Sequence, residues 1–136
     1  YLADAFPAAS LAPPVGDKLR GPYYRWLFFA AGPLEAMVTN SALGVRVSDE
    51  QRRMVGYGSK EEVIAVLQDA VSRQDYLLGA RFSAADVYLG AHIGWGMQFG
   101  TIEKLPAFEA YAGRILSRPA AVRAREMDDA LLAQKT

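Results

Sequence analysis

The sequence has 136 residues, with 15 basic and 15 acidic side chains, one histidine and no cysteine. A length of this order makes one domain, and 51% hydrophobic with 22% charged residues is the composition of a globular chain that can bury a core, which excludes general disorder. Zero net charge leaves no basic footprint for nucleic acid and no polybasic membrane signal, no apolar run reaches the roughly 18 residues of a spanning helix, and the lack of cysteine removes disulfides, thiolate metal sites and cysteine nucleophiles.

The chain opens at Tyr1, not methionine, and shows no secretory signal. It is read as either a processed product or a fragment. Residues Tyr1 to Phe6 read as the end of a helix. Pro7, the small residues after it, and Pro13, Pro14 and Gly16 make 7–16 a linker. Asp17 is placed to cap a long helix from about Lys18 to Leu43. Its first half, Tyr23 to Ala31, is apolar on nearly every side, which predicts burial from several directions. Gly32-Pro33 in its middle removes a backbone donor and predicts a kink.

After a loop near Gly44 to Ser48, Asp49 to Val55 reads as a further helical stretch, broken by Gly56-Tyr57-Gly58. Ser59-Lys60-Glu61-Glu62 is a capping box. Val63, Ile64, Leu67, Ala70 and Val71 then follow at amphipathic helical spacing. Ser83-Ala84-Ala85-Asp86 is a second box, with Phe82 and Val87 placed as a hydrophobic staple. The helix it starts runs to about Phe99 with almost no charge after Asp86, as a central buried helix does. Gly90, Gly94, Gly96 and Gly100 weaken it, by roughly 1 kcal/mol for an interior glycine against alanine. Close approach of a neighbouring helix is the expected compensation. Pro106 and Pro119 open two more helices, the first with Phe108, Tyr111, Ala112, Ile115 and Leu116 on one stripe. No convincing strand alternation and no repeat occur. The fold class is all-α, a bundle of five or six helices whose first long helix is kinked.

No complete catalytic constellation is present. His92 lies inside the most buried helix and reads as a packing residue, with no second histidine or cysteine to make a metal site. Asp86 reads as a cap, not as an acid or base. Arg114, Arg118, Arg123 and Arg125 read as a solvated face. No nucleophile elbow or phosphate cradle occurs. The aromatics are more informative. Tyr23, Tyr24, Trp26, Phe28 and Phe29 crowd the first long helix, and Trp95 and Phe99 lie on the central one. A kink at Gly32-Pro33 would open an aromatic-lined cleft between those helices, with Glu35 as a rare charge beside it.

Phe82-Ser83-Ala84-Ala85-Asp86-Val87-Tyr88-Leu89 resembles the capping motif that opens the central helix of the C-terminal domain of cytosolic glutathione transferases. Tyr1 to Pro7 resembles the end of that family's thioredoxin-like domain. Tyr24 to Ala31 is similar to the first C-domain helix of bacterial members. Leu105-Pro106-Ala107-Phe108 through Arg118-Pro119-Ala120 is similar to the last two helices. The resemblance spans essentially the whole chain. It implies a remnant of the thioredoxin-like domain plus interdomain linker at 1–16, and the helical C-terminal domain at 17–136.

The family binds glutathione, and activates its thiol, in the thioredoxin-like domain, so no catalytic residue, resident cofactor or metal falls in this chain. Glutathione enters as a co-substrate of the intact parent. The resemblance implies a pocket tryptophan at Trp95, a pocket wall at Phe28, and a pocket position at Glu35, where bacterial beta-class members carry histidine. Ala36 stands where they have a following lysine. A carboxylate opposes a nearby thiolate, so the class is left open. Phe82, Ser83, Asp86 and Val87 match the structural motif only.

The implied parent is a cytoplasmic homodimer that conjugates glutathione to small apolar electrophiles, with no nucleic-acid or membrane partner. This chain supplies the pocket wall and part of the dimer contact, and alone is expected to be inactive. The alternatives are a non-catalytic protein-interaction domain of the same fold, and a ligand-binding helical domain without a glutathione link. A further expectation is an exposed apolar patch where the other domain and subunit belong.

Overall fold

The computed structural model describes residues 1–134 as seven α-helices with no strand among them. They are α1 (Leu2–Ala5), α2 (Arg20–Phe29), α3 (Glu35–Ala42), α4 (Lys60–Arg73), α5 (Ala84–Phe99), α6 (Pro106–Leu116) and α7 (Pro119–Ala133). The last two residues of the 17–136 segment lie outside the described residues.

Two serines and two prolines set where the last four helices begin. At α4 the Glu62 N–H donates to Ser59 Oγ (3.3 Å) and the Ser59 N–H donates to Glu62 Oε2 (2.9 Å), so two orphan donors are satisfied reciprocally. Arg52 adds a bond to the other oxygen of Glu62. Pro106 and Pro119 occupy first-turn positions of α6 and α7, where a missing N–H removes no helical bond.

The long first helix is interrupted where Pro33 sits. Residues Ala30–Leu34 form a π turn between α2 and α3. The Glu35 N–H reaches back five residues to the carbonyl of Ala30, so the widened turn accommodates the ring that an ordinary turn would exclude. The helix starts later than expected. Asp17 Oδ1 accepts from the Leu19 N–H (2.8 Å) in a turn, and α2 begins at Arg20. Residues 49–54 are turns and not a helical stretch. The bonds run from Gln51 and Arg52 back to Ser48, and from Met54 to Gln51, without continuing into a ladder. A single turn of helix is unfavourable unless packing supports it, and Met54 is among the exposed residues.

The core gathers Tyr23 and Trp26 of α2, Leu34, Met37 of α3, Leu67 of α4, Leu89 and Ile93 of α5, and Phe108, Tyr111 and Ile115 of α6. Helix α5 is central. It packs chiefly on α6 and then on α2. Its glycines permit this. A Cβ at Gly90 would stand 2.9 Å from Ile115 Cγ2, and one at Gly96 would stand 2.5 Å from Ile102 Cδ1 and Cγ1. Gly100, at φ +76°, ends the helix in the left-handed conformation. Helix α7 leans on α6 and buries no residue. Helix α2 is less enclosed than its composition suggests: Tyr23 and Trp26 are buried, whereas Tyr24 and Phe28 are exposed.

Candidate ligand-binding face

Helix α5 carries Tyr88, His92, Trp95 and Phe99 at i, i+4, i+7 and i+11, which puts them in one row. The adjacent side of the helix, with Leu89, Ile93 and Gly96, is turned into the core. Trp95 is 69% and Phe99 72% exposed. On the neighbouring element Phe28 is 73% exposed, and Glu35 opens α3 with 56% of its side chain exposed. These are large apolar groups left in solvent, whereas Tyr23, Trp26, Phe108 and Tyr111 are buried.

The two elements meet at Glu35 and His92. Glu35 Oε2 lies 3.7 Å from His92 Nδ1, within ion-pairing reach and beyond hydrogen-bond distance. The imidazole is only 17% exposed, and the ring of Tyr88 meets it edge-on at 4.8 Å between centroids. His92 therefore faces the aromatic side of α5 and not the core.

The cleft expected between α2 and α5 is not enclosed by this chain. Phe28 and Trp95 stand on an open surface, because nothing covers the far side of the wall. A groove lies elsewhere, between α2 and α4, about 470 Å³ in volume and bordered by Arg25, Trp26, Asp69 and Arg73. Its polar, arginine-flanked border differs from the apolar α2–α5 face. No cluster of potential metal ligands occurs among the described residues.

Asp86 lies at a structural junction behind this face. It is fully buried. Its Oδ2 accepts from the Ser83 N–H (2.8 Å) and the Ser83 hydroxyl (2.9 Å). Its Oδ1 accepts from the Leu77 N–H (2.8 Å) and the Tyr111 hydroxyl (2.9 Å). One carboxylate thus joins the start of α5, the loop after α4, and α6. Burial first, then the adjacent negative charge and hydrogen bond of Asp86, push the Tyr111 phenol far above its ordinary value. Val87 is 49% exposed, while Phe82 meets the Tyr76 ring edge-on and lies under the guanidinium of Arg118. The Leu77 and Tyr111 partners were not legible in the sequence, since they are 9 and 25 residues from Asp86. The aromatic row was legible, as the spacing 88, 92, 95, 99.

Over residues 26–119 the chain matches the family described as "Glutathione S-transferase, C-terminal domain", and it belongs to that family. Among individual relatives, glutathione S-transferase GstA of Escherichia coli O157:H7 is 27% identical over 135 residues, which are 98% of this chain and 63% of that protein. The solved structure of BphK, a bacterial glutathione transferase in a ternary complex, superposes with a TM-score of 0.74 at 29% identity, covering 95% of this chain and 64% of that one. A glutathione transferase of Methylococcus capsulatus has the same TM-score at 28% identity and the same coverage of both chains. A sphingomonad glutathione S-transferase complexed with glutathione gives 0.72 at 31%, again covering 95% of this chain and 64% of its own. The chain therefore spans less than two thirds of the length of these relatives.

Proposed function

We propose that this chain is the helical half of a bacterial glutathione transferase, and that the α2–α5 face is the wall against which a small apolar electrophile is held. In this reading residues 1–16 are the end of a thioredoxin-like domain and its linker, and that domain binds glutathione and activates its thiol. The parent is a cytoplasmic homodimer, and the helical half supplies part of the dimer contact. Phe28 and Trp95 desolvate and orient the electrophile, and Glu35 borders them. The observation that carries the reading is the exposure of Phe28 on α2 and of Trp95 and Phe99 on α5, the helix that packs against it, in a member of this family.

The mechanism assigned to these residues is positional. A thiolate attacks well only when the electrophilic carbon is held near it in the right orientation, and a closed apolar wall removes the competing water. A flat indole and a phenyl ring hold an aryl or alkenyl group by area and ring geometry. In this reading the thiol is activated by the thioredoxin-like domain, so this chain alone is expected to be inactive.

The test is the conjugation of glutathione to 1-chloro-2,4-dinitrobenzene by the intact protein, alongside retention on immobilised glutathione. Turnover with retention supports the reading. Neither turnover nor retention would move the chain to the second role of this fold, a protein-interaction domain.

A further inference from the structure

Three features of the molecule are not used by the reading above: the α2–α4 groove, the bare surface of α7, and the Glu35–His92 pair. The third carries an inference. Among the described residues it is the one ion-pair contact of His92, the single histidine of the sequence, and it lies at the seam of the face assigned to the electrophile. We propose that His92 is the proton donor of that face and Glu35 its positioning residue, so that the preferred electrophiles carry an oxygen that becomes anionic when sulfur adds. Those are α,β-unsaturated carbonyl compounds and epoxides. The inference rests on the conjugation reading.

The geometry supports each part. Nδ1 faces the carboxylate at 3.7 Å, which leaves Nε2 as the ring nitrogen for a ligand. When the ring carries both protons, the pair is neutral overall and Nε2–H is a donor. Neutrality also removes the objection to a carboxylate beside a thiolate, since the imidazolium offsets its charge. The edge-on Tyr88 ring restricts the imidazole. Trp95 follows His92 by three residues on the same face, a separation of about 5–6 Å between Cβ atoms. A ligand ring lying on the indole can therefore bring a carbonyl oxygen towards the imidazole. An apolar wall with one convergent polar pair is the ordinary construction of a small-molecule site.

The steps balance. Ionisation sends the thiol proton to solvent. The new S–C bond forms at the β-carbon as the C=C pair shifts and the carbonyl π pair moves onto oxygen. The Nε2 proton passes to that oxygen, and His92 regains a proton from water. The resulting enol relaxes to the ketone. With an epoxide, the C–O bond breaks instead and the alkoxide takes the same proton. Displacement of chloride from an aryl halide has no such oxygen at the reacting carbon and needs no proton there.

The test compares 4-phenylbut-3-en-2-one with 1-chloro-2,4-dinitrobenzene in the intact protein, as the ratio of their kcat/KM values. His92→Gln is expected to lower that ratio by about a hundredfold, the low end of general acid contributions. Glu35→Gln is expected to lower it by a smaller factor in the same direction. A variant that only loosens the wall slows both electrophiles and leaves the ratio unchanged, and that result would overturn the proposal while leaving conjugation intact. If the unaltered protein conjugates neither electrophile, the conjugation reading fails and this inference fails with it.

Discussion

Asp86→Ala is the substitution whose consequence the structure fixes most firmly. The carboxylate is fully buried and accepts four hydrogen bonds, all at 2.8–2.9 Å. Alanine leaves the Leu77 N–H, the Ser83 N–H and the Tyr111 hydroxyl without their acceptor, while the Ser83 hydroxyl can turn to another partner. Each orphaned buried donor costs about 1–3 kcal/mol, so three of them bracket about 3–9 kcal/mol. Water entering the space left by the carboxylate lowers that figure. We expect a loss of about 4 kcal/mol, well above the roughly 1 kcal/mol of a simple exposed cap. In urea, at a slope of about 2 kcal/mol per molar, the midpoint falls by about 2 M. Asp86→Asn keeps one oxygen but sets an amide donor against donors, and is expected to lose about half as much. A midpoint for Asp86→Ala within about 0.5 M of the unaltered chain, at unchanged slope, would refute the junction.

The remaining expectations concern pH, packing and exposure. Tyr111 is held neutral in the fold while the unfolded phenol ionises near its ordinary value of 10.0. The unfolded state then releases protons that the folded state keeps, so this contribution to stability is complete below about pH 10 and falls as pH rises beyond it. Tyr111→Phe should flatten that part of the alkaline limb in urea titrations. Gly90→Ala and Gly96→Ala should destabilise by about 1–3 kcal/mol despite better helix propensity, because the new Cβ meets Ile115 or Ile102. Gly113→Ala, with nothing within 4 Å of its Cβ, should stabilise by up to about 1 kcal/mol, and thermal melts of the three variants check all of these signs. Trp26 is buried and Trp95 exposed, so Trp95→Phe should remove the emission that acrylamide quenches readily and leave the shielded component.

Much of the bundle was readable because its determinants are local. Ser59 and Ser83 with carboxylates three residues on, the proline starts at 106 and 119, and the helical spacing of Val63, Leu67 and Val71 depend only on neighbours in sequence. The π turn was half readable: Pro33 announces a break in the helix, but only the backbone shows that Glu35 bonds five residues back. Residues 49–54 misled because their composition suits a helix while no neighbour supplies the packing a short one needs. At the face, the row on α5 follows from periodicity. The Glu35–His92 contact does not, since it joins residues 57 apart through the packing of two helices. That Phe28 and Trp95 lie open to solvent was not readable, because side-chain exposure depends on how α2 and α5 pack.

The central claim is that Phe28 and Trp95 hold the electrophile and not glutathione. Its most direct test is steady-state conjugation by the intact protein with each substrate varied in turn, for Trp95→Ala and Phe28→Ala. The account predicts that KM for 1-chloro-2,4-dinitrobenzene rises by about tenfold, the loss expected when one or two kcal/mol of apolar contact is removed, while KM for glutathione stays within about twofold. An unchanged KM for the electrophile, or an equal rise for glutathione, would contradict the assignment of this face.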